Sequence, residues 1–342
     1  MPTPAQLSGP DAAGGTRPAD GSARSAPLRR QRIAYLGPEG TFTEEALLAA
    51  LSDAERAEAE LVAAGQMADV LALVDTGEAT AGFVPIENSI EGSVTAALDR
   101  LIFDHDLLIW REVVRDIHLH LLGLPNSRPE QIRRVLTYPV ALGQCRGYLA
   151  RELGRAEVAA AASTADAARQ VRDLGRPDVA AVGPETAATL YGLQVLAGPV
   201  EDHPGNQTRF LLVGKGRIPA PTGHDKTTIV CFQRRDQPGS LLAILEQFAA
   251  RSINLTRIES RPTRQGIGRY CFLVDLAGHV ADELVADCLR ALHAEVASLK
   301  FLGSYPAAGA DGPDRRRRAQ AAWRAAEAFV DDIRRLVEPP TT

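Results

Sequence analysis

From Arg32 to Gly214 the chain alternates short apolar runs with stretches whose apolar residues recur at helical spacing. "RIAYLG" reads as a strand and "TEEALLAAL" as the helix after it; "MADVLALVD" predicts a helix, "AGFVPIE" a strand and "SVTAALDRLIF" a helix. The rhythm then repeats: "IRRVLTYP", "VAAAA" and "VAAVG" as strands, "ALGQCRGYLARELG", "TADAARQVRDLG" and "ETAATLYG" as helices. Strands alternating with helices imply α/β layers with mainly parallel sheets. Between the two sets, "LLIWREVVRDIHLHLLGL" is long and β-rich, suited to carrying the chain from one sheet to another. The expected architecture for residues 31–214 is two α/β lobes with a cleft between them, and "TRFLLVG" as the last strand.

Residues 215–226, within "KGRIPAPTGHDK", read as a Pro/Gly-rich linker. Residues 227–305 follow the order βαββαβ, with "TTIVCFQ", "NLTRIESRP", "GRYCFLVDLAG" and "VASLKFLGSY" as strands: the ferredoxin-like arrangement. In the tail, residues 306–342, Trp323, Ala326, Phe329, Val330, Ile333 and Leu336 have helical spacing and predict an amphipathic helix, with Arg315 to Arg318 as its solvated first turn. Residues 1–30 are rich in Ala, Gly, Pro, Ser and Arg without a hydrophobic period, and are expected to be a disordered leader.

Composition narrows the class. A net charge of -5 gives no reason to expect a nucleic-acid partner. No apolar run is long enough for a signal peptide or a membrane span, so the expected location is the cytosol, with no membrane partner. Cys145, Cys231, Cys271 and Cys288 are widely spaced and mostly sit in apolar runs, the pattern of reduced thiols and not of a disulfide frame or a zinc site. The histidines form no cluster; His118 and His120 are expected on one strand face, and no metal site is expected.

Four polar loops at strand ends carry the candidate chemistry. "GPEGTFTEEA" offers Thr41 or Thr43 as a helix cap, with backbone N–H groups suited to an anion. "VPIENSIEGSV" places Glu87, Asn88 and Ser89 before a helix expected to start near Gly92 or Ser93. "ASTADAA" repeats the device with Ser163 or Thr164, and "GNQTRF" sets Asn206, Gln207, Thr208 and Arg209 at the mouth of a strand. In an open α/β sheet ligands bind at these strand ends. Gathered in one cleft, the four loops would surround a small polyanion.

In this order and followed by "ESRP", the segments "GPEGTFTEEA", "PIENSIEGSV", "STADAA" and "NQTRF" resemble the prephenate dehydratase family with its C-terminal ACT regulatory domain. The resemblance runs from about Arg32 to Tyr305 and implies a catalytic region of the type II periplasmic-binding-protein fold. It implies prephenate as substrate, loss of CO2 and water driven by aromatisation of the ring, and no cofactor or metal. Thr208 then corresponds to the family's essential threonine, donating a hydrogen bond to the departing oxygen while water or Glu87 supplies the proton. Thr41, Asn88, Ser89, Ser163, Thr164 and Asn206 become substrate contacts. Arg209 reads either as a carboxylate clamp or as a structural ion pair, and Phe210 either as substrate contact or as core. The chain departs from the family at "TYPVALGQC", where a Ser-His-Pro-Gln-like run is usual.

The resemblance assigns the βαββαβ unit to feedback by L-phenylalanine. "QPGSLLAIL" matches the effector loop with Gly239, Ser240 and Leu241, and "NLTRIESRP" contributes Asn254, Leu255, Glu259, Ser260 and Arg261. ACT units usually bind amino acids between subunits, so a homodimer or homotetramer is expected. The rival readings are arogenate dehydratase and a non-catalytic amino-acid sensor. The bifunctional relatives carry a chorismate mutase domain ahead of this region, and residues 1–30 are not expected to form one.

Overall fold

The computed structural model describes residues 31–266, 268–308, 324–326 and 328–336. The leader, Arg315 to Arg318 and Trp323 lie outside the described residues. In the first lobe β1 (Gln31–Leu36) is followed by α1 (Phe42–Ala50), α2 (Asp53–Glu58), β2 (Ala59–Ala64) and α3 (Met67–Thr76). Next come β3 (Ala81–Asn88), β4 (Gly92–Ser93), α4 (Thr95–Phe103) and β5 (Leu108–Asp116). The second lobe holds β6 (His120–Gly123), β7 (Arg134–Thr137), α5 (Pro139–Glu152), β8 (Glu157–Ala160), α6 (Thr164–Leu174), β9 (Val179–Gly183), α7 (Glu185–Tyr191) and β10 (Gln194–Ala197). Strand β11 (Gln207–Gly214) returns to the first lobe.

Each lobe is built on one sheet, in the orders β2-β1-β3-β11-β5 and β10-β6-β9-β7-β8. Both are mixed, not mainly parallel. β1 runs parallel to β2 and β3, but β11 threads antiparallel between β3 and β5. A single crossing back from the second lobe can enter the first sheet only in that sense. The β-rich passage does change sheets, as β5 and β6, so His118 falls in the crossing before β6 and shares no strand with His120. The loop after β3 forms the short β4 against Glu87 and Asn88, which delays the helix to Thr95.

The register sets the edges. β1 and β3 end on the side where β11 begins, with Asn88 opposite Thr208. In the second sheet β7, β8 and β9 end together, so α5, α6 and α7 all start on one edge. The two edges meet: Thr186 on α7 donates to Glu45 on α1 at 2.9 Å, and Tyr191 donates to the Glu39 carbonyl at 3.1 Å. The strand ends of both lobes therefore face a common cleft.

The third sheet, β13-β14-β12-β15, is built from β12 (Asp225–Phe232), α8 (Ser240–Ala249), β13 (Leu255–Pro262), β14 (Tyr270–Ala277), α9 (Glu283–Glu295) and β15 (Ser298–Pro306). Its order and antiparallel pairing are those of the ferredoxin-like unit. One face packs under α8 and α9 through Ile229, Val274, Phe248 and Leu292. The other face shares a core with the first lobe, where Val230, Leu273 and Leu302 meet Leu101, Ile102 and Leu211. Behind the linker there is thus no independent bead. All four cysteines are free and buried, Cys145 in the second lobe and the others in the third sheet and α9. In the tail, residues 324–326 and 328–334 are helical, and Phe329, Ile333 and Leu336 are exposed.

At the join, Gly303 has φ +141° beside a bulge that falls between Thr228 and Ile229, and an added Cβ would stand 2.7 Å from the Ile109 carbonyl oxygen. Only glycine lets β15 lie this close to β5. Gly303→Ala should cost on the order of 1–3 kcal/mol, read as a lowered urea midpoint.

Candidate active site

Thr208 is the second residue of β11 and Asn88 the last of β3, and their pairing brings the side chains together on one face. Asn88 Nδ2 donates to Thr208 Oγ1 at 2.9 Å and to Asn206 Oδ1 at 2.8 Å. The amide is held in that orientation because its Oδ1 accepts from the N–H groups of Ile90 and Glu91 at 2.9 and 3.0 Å. Asn206 in turn donates to Gln144 Oε1 on α5 at 2.8 Å. The chain of amides has one direction throughout. Since Asn88 donates, the Thr208 oxygen is an acceptor and its own proton is not consumed in the cluster.

The amides also join the lobes. Asn206 lies on the returning crossing, Gln144 on the second lobe and Asn88 on the first. Asp202 fixes α5 in place by accepting from the N–H groups of Gly147 and Tyr148 at 2.6 and 2.8 Å, while its own N–H donates to the Gln144 carbonyl at 2.7 Å. A Cβ on Gly147 would stand 2.7 Å from that carboxylate, which explains the glycine. Gln144 and Asp202 were not among the sequence candidates. Gln144 stood in a recognisable run, whereas Asp202 had no local signal.

Ser89 accepts from the Gln207 N–H at 2.9 Å through Oγ, and its own N–H donates to the Gln207 carbonyl at 2.8 Å, which pins the loop beside Thr208. Thr41, and not Thr43, caps α1; Glu44 accepts from the Gly40 N–H at 2.5 Å, so this helix start already has a carboxylate. Ser163, and not Thr164, caps α6, and Asp166 accepts from the Ala162 N–H at 3.2 Å. Thr41 and Ser163 stand on the facing edges but make no hydrogen bond to the Thr208 cluster among the described residues. α4 and α5 begin with neither a side-chain cap nor an acidic first turn, leaving their N–H groups for an anion.

Two sequence candidates face away from the cleft. Arg209 points through the opposite face of the sheet into the core shared with the third sheet, with Nε 2.6 Å from Glu112 and Nη1 2.6 Å from Asp275. Burial alone would depress its pKa; Asp275, Tyr305 and Glu112 outweigh that and raise it, which locks the charge. The guanidinium is thus held in a buried ion pair on the side of the sheet away from the cleft. Glu87 lies with it, 3.5 Å from Arg209 and 3.6 Å from Arg257, so it is not beside Thr208 and cannot serve as proton donor there. Phe210 is core, 1% exposed and stacked on Phe83 at 5.2 Å.

The effector candidates also divide. Gly239 has φ +88° and opens α8 beside a hollow of about 540 Å³ lined by Gln237, Ser240, Ile244 and Val296. Leu241 is partly exposed on α8. On β13, Ser260 lies on the α8 side and is exposed. Glu259 and Arg261 point to the other face: Glu259 accepts from Ser93 at 2.7 Å, and Arg261 pairs with Asp99. Both thereby dock the third sheet on the first lobe. Asn254 and Leu255 start β13, at the end of the sheet opposite Gly239.

The family model described as prephenate dehydratase matches residues 33–217, and that for the ACT domain matches residues 227–294. The chain belongs to the prephenate dehydratase family. A prephenate dehydratase of Mycolicibacterium vanbaalenii is 45% identical over 285 residues, covering 80% of this chain and 90% of the relative. The family member from Mycobacterium tuberculosis strain H37Rv is 44% identical over 302 residues, covering 82% and 90%. The crystal structure of the Arthrobacter aurescens enzyme in complex with L-Phe has a TM-score of 0.79 and 40% identity, covering 89% of this chain and 99% of that one. Another similar solved structure, GqqA, described as a novel type of quorum quenching acylase, has a TM-score of 0.72 and 31% identity, covering 81% of this chain and 98% of that one. The scaffold therefore hosts more than one described activity, and the chemistry has to be argued from the site. Among the described residues no group of three His, Cys, Asp or Glu side chains could hold a metal ion, and no helix is long and apolar enough to cross a membrane.

Asn206 is 3% exposed and bonded at both ends. Asn206→Ala strands the Gln144 acceptor and one Asn88 donor and should cost about 1–3 kcal/mol, measured by urea denaturation.

Proposed function

We propose that the chain converts prephenate to phenylpyruvate, CO2 and water in the cytosol and answers to L-phenylalanine. The observation that carries this reading is the direction of the hydrogen bond from Asn88 to Thr208. It leaves the threonine proton to be donated to the ring hydroxyl of the substrate. As the C–C bond to the ring carboxylate breaks, its electron pair enters the ring and the C–O bond to the hydroxyl breaks on the far side. Aromatisation drives both. Thr208 stabilises the charge growing on the leaving oxygen, and water completes the proton transfer, since Glu87 faces the other side of the sheet. The open start of α5 supplies N–H groups to a carboxylate.

Regulation follows from the divided effector residues. Within one chain Gly239 and Asn254 lie at opposite ends of the ACT sheet, so a site that uses both draws them from two copies. β13 is an edge strand, with Ile258 45% and Leu242 59% exposed nearby, which suits a second copy in a homodimer or homotetramer. The L-Phe complex of the Arthrobacter relative supports that effector.

Thr208→Ala should lower kcat by ~10²-fold or more with the fold and L-phenylalanine binding intact, read by ultraviolet absorbance of phenylpyruvate. Unchanged turnover would remove Thr208 from the mechanism, and a higher kcat/KM on arogenate, followed as phenylalanine formed, would change the substrate. Ser260→Ala should raise the L-phenylalanine concentration for half-inhibition about tenfold and leave uninhibited kcat as it was. Inhibition identical to that of the parent would place the effector elsewhere.

A further inference from the structure

Arg209 adjoins Thr208 in the chain, yet its guanidinium is held by the regulatory unit. Nη1 lies 2.6 Å from Asp275 Oδ2 on β14, and Nη2 donates to Tyr305 Oη on β15 at 3.1 Å. Thr228 Oγ1 on β12 lies 2.6 Å from Asp275 Oδ1 and 2.6 Å from Tyr305 Oη. The hydrogen positions follow from counting. Thr228 has one hydroxyl proton, and the carboxylate can only accept it, so Tyr305 donates to Thr228 and accepts from Arg209. The bonds form a closed ring: Arg209 donates to Tyr305, Tyr305 to Thr228 and Thr228 to Asp275, which also accepts from Arg209. Tyr305 is fully buried and Asp275 is 2% exposed, so no water replaces a lost member.

On its other edge Arg209 contacts Glu112, whose second cation is Lys226 at 2.8 Å, again from the regulatory unit. The ring thus draws three residues from three strands of the ACT sheet and one from the catalytic strand. Resting on the assignment of Thr208 as the catalytic hydroxyl, we propose that Arg209 is a positioning residue through which the ACT unit sets the placement of Thr208. The mechanics are short. The backbone of β11 at Arg209 is anchored by the ring on one face, and the next side chain toward the strand start projects from the other face into the cleft. Any shift of the ACT sheet against the first lobe either breaks the ring or pulls the Thr208–Arg209 peptide with it. Misplacement of a catalytic group by about 1 Å costs on the order of 10²-fold in rate.

The test compares three full-length variants. Tyr305→Phe removes one hydroxyl and opens the ring with little change in shape; Asp275→Asn removes the charge and keeps the volume. Lys300→Met is the control, because Lys300 also docks the ACT unit, on the carbonyls of Ile102 and His105 at 3.0 and 2.7 Å, away from Thr208. Expected are a kcat lowered roughly 10- to 100-fold in Tyr305→Phe and Asp275→Asn with KM within about twofold, and parental values in Lys300→Met. Amide exchange over residues 206–211 is measured alongside and should quicken about tenfold in the first two variants only. Parental kcat and exchange in both ring variants would overturn the proposal, as would Lys300→Met reproducing their losses. If the parent chain does not turn over prephenate, the assigned activity falls, while the exchange comparison still decides whether the ring holds the strand.

Discussion

Strand β11 must satisfy two faces at once, and the organisation of the chain depends on that. It is the return crossing from the second lobe, and it enters the first sheet between β3 and β5. Its alternation sends Thr208, Phe210 and Leu212 to the α1 side and Arg209, Leu211 and Val213 toward the ACT unit. The polar residues at its start therefore belong to two different environments although they are consecutive. One is a network of neutral amides at the cleft. The other is a buried ionic group between domains.

The two environments call for different chemistry. At the cleft, amides are placed because they are directional and carry no charge that would compete with a dianionic substrate. Between the domains, a guanidinium that loses its hydration needs charged partners, and Glu112 and Asp275 provide them, with Lys226 keeping the balance. Removing one partner from such a buried set typically costs about 3–5 kcal/mol, because the other is left uncompensated. Burial also pushes the Tyr305 phenol well above its ordinary range, so it remains a neutral donor. The interface is thus specific as well as tight: apolar contacts alone would tolerate small slips that this ring does not.

Much of this was legible in the sequence, and the failures have identifiable causes. The strand and helix rhythm gave both lobes because each segment buries one stripe or one face. The ferredoxin-like unit was readable for the same reason. The relative orientation of Glu87 was not. Strict alternation along "FVPIEN" would place Glu87 on the face of Phe83, the side of Thr208; the register shift opposite Arg209 and Phe210 turns it to the other side. A bulge of one residue leaves no compositional trace. The role of Arg209 was likewise undecidable locally, because its partners Asp275 and Tyr305 are 66 and 96 residues away. The contacts of Glu259 and Arg261 with the first lobe were not readable, because an edge strand with alternating burial has two polar faces, and the sequence does not say which one meets the first lobe. The cap of α1 was readable only as Thr41 or Thr43, and the structure selects Thr41.

Burial of the four thiols has a practical consequence. Burial pushes Cys145 and Cys231 up to about 12, with nearby acidic groups or thiols adding to it, and Cys271 and Cys288 up to about 11. Alkylating reagents attack the thiolate, of which these groups offer almost none at neutral pH. Labelling is therefore a clock for opening of the folded chain. Because Cys145 belongs to the second lobe and the other three to the regulatory unit, peptide-resolved labelling separates the opening of one from the opening of the other.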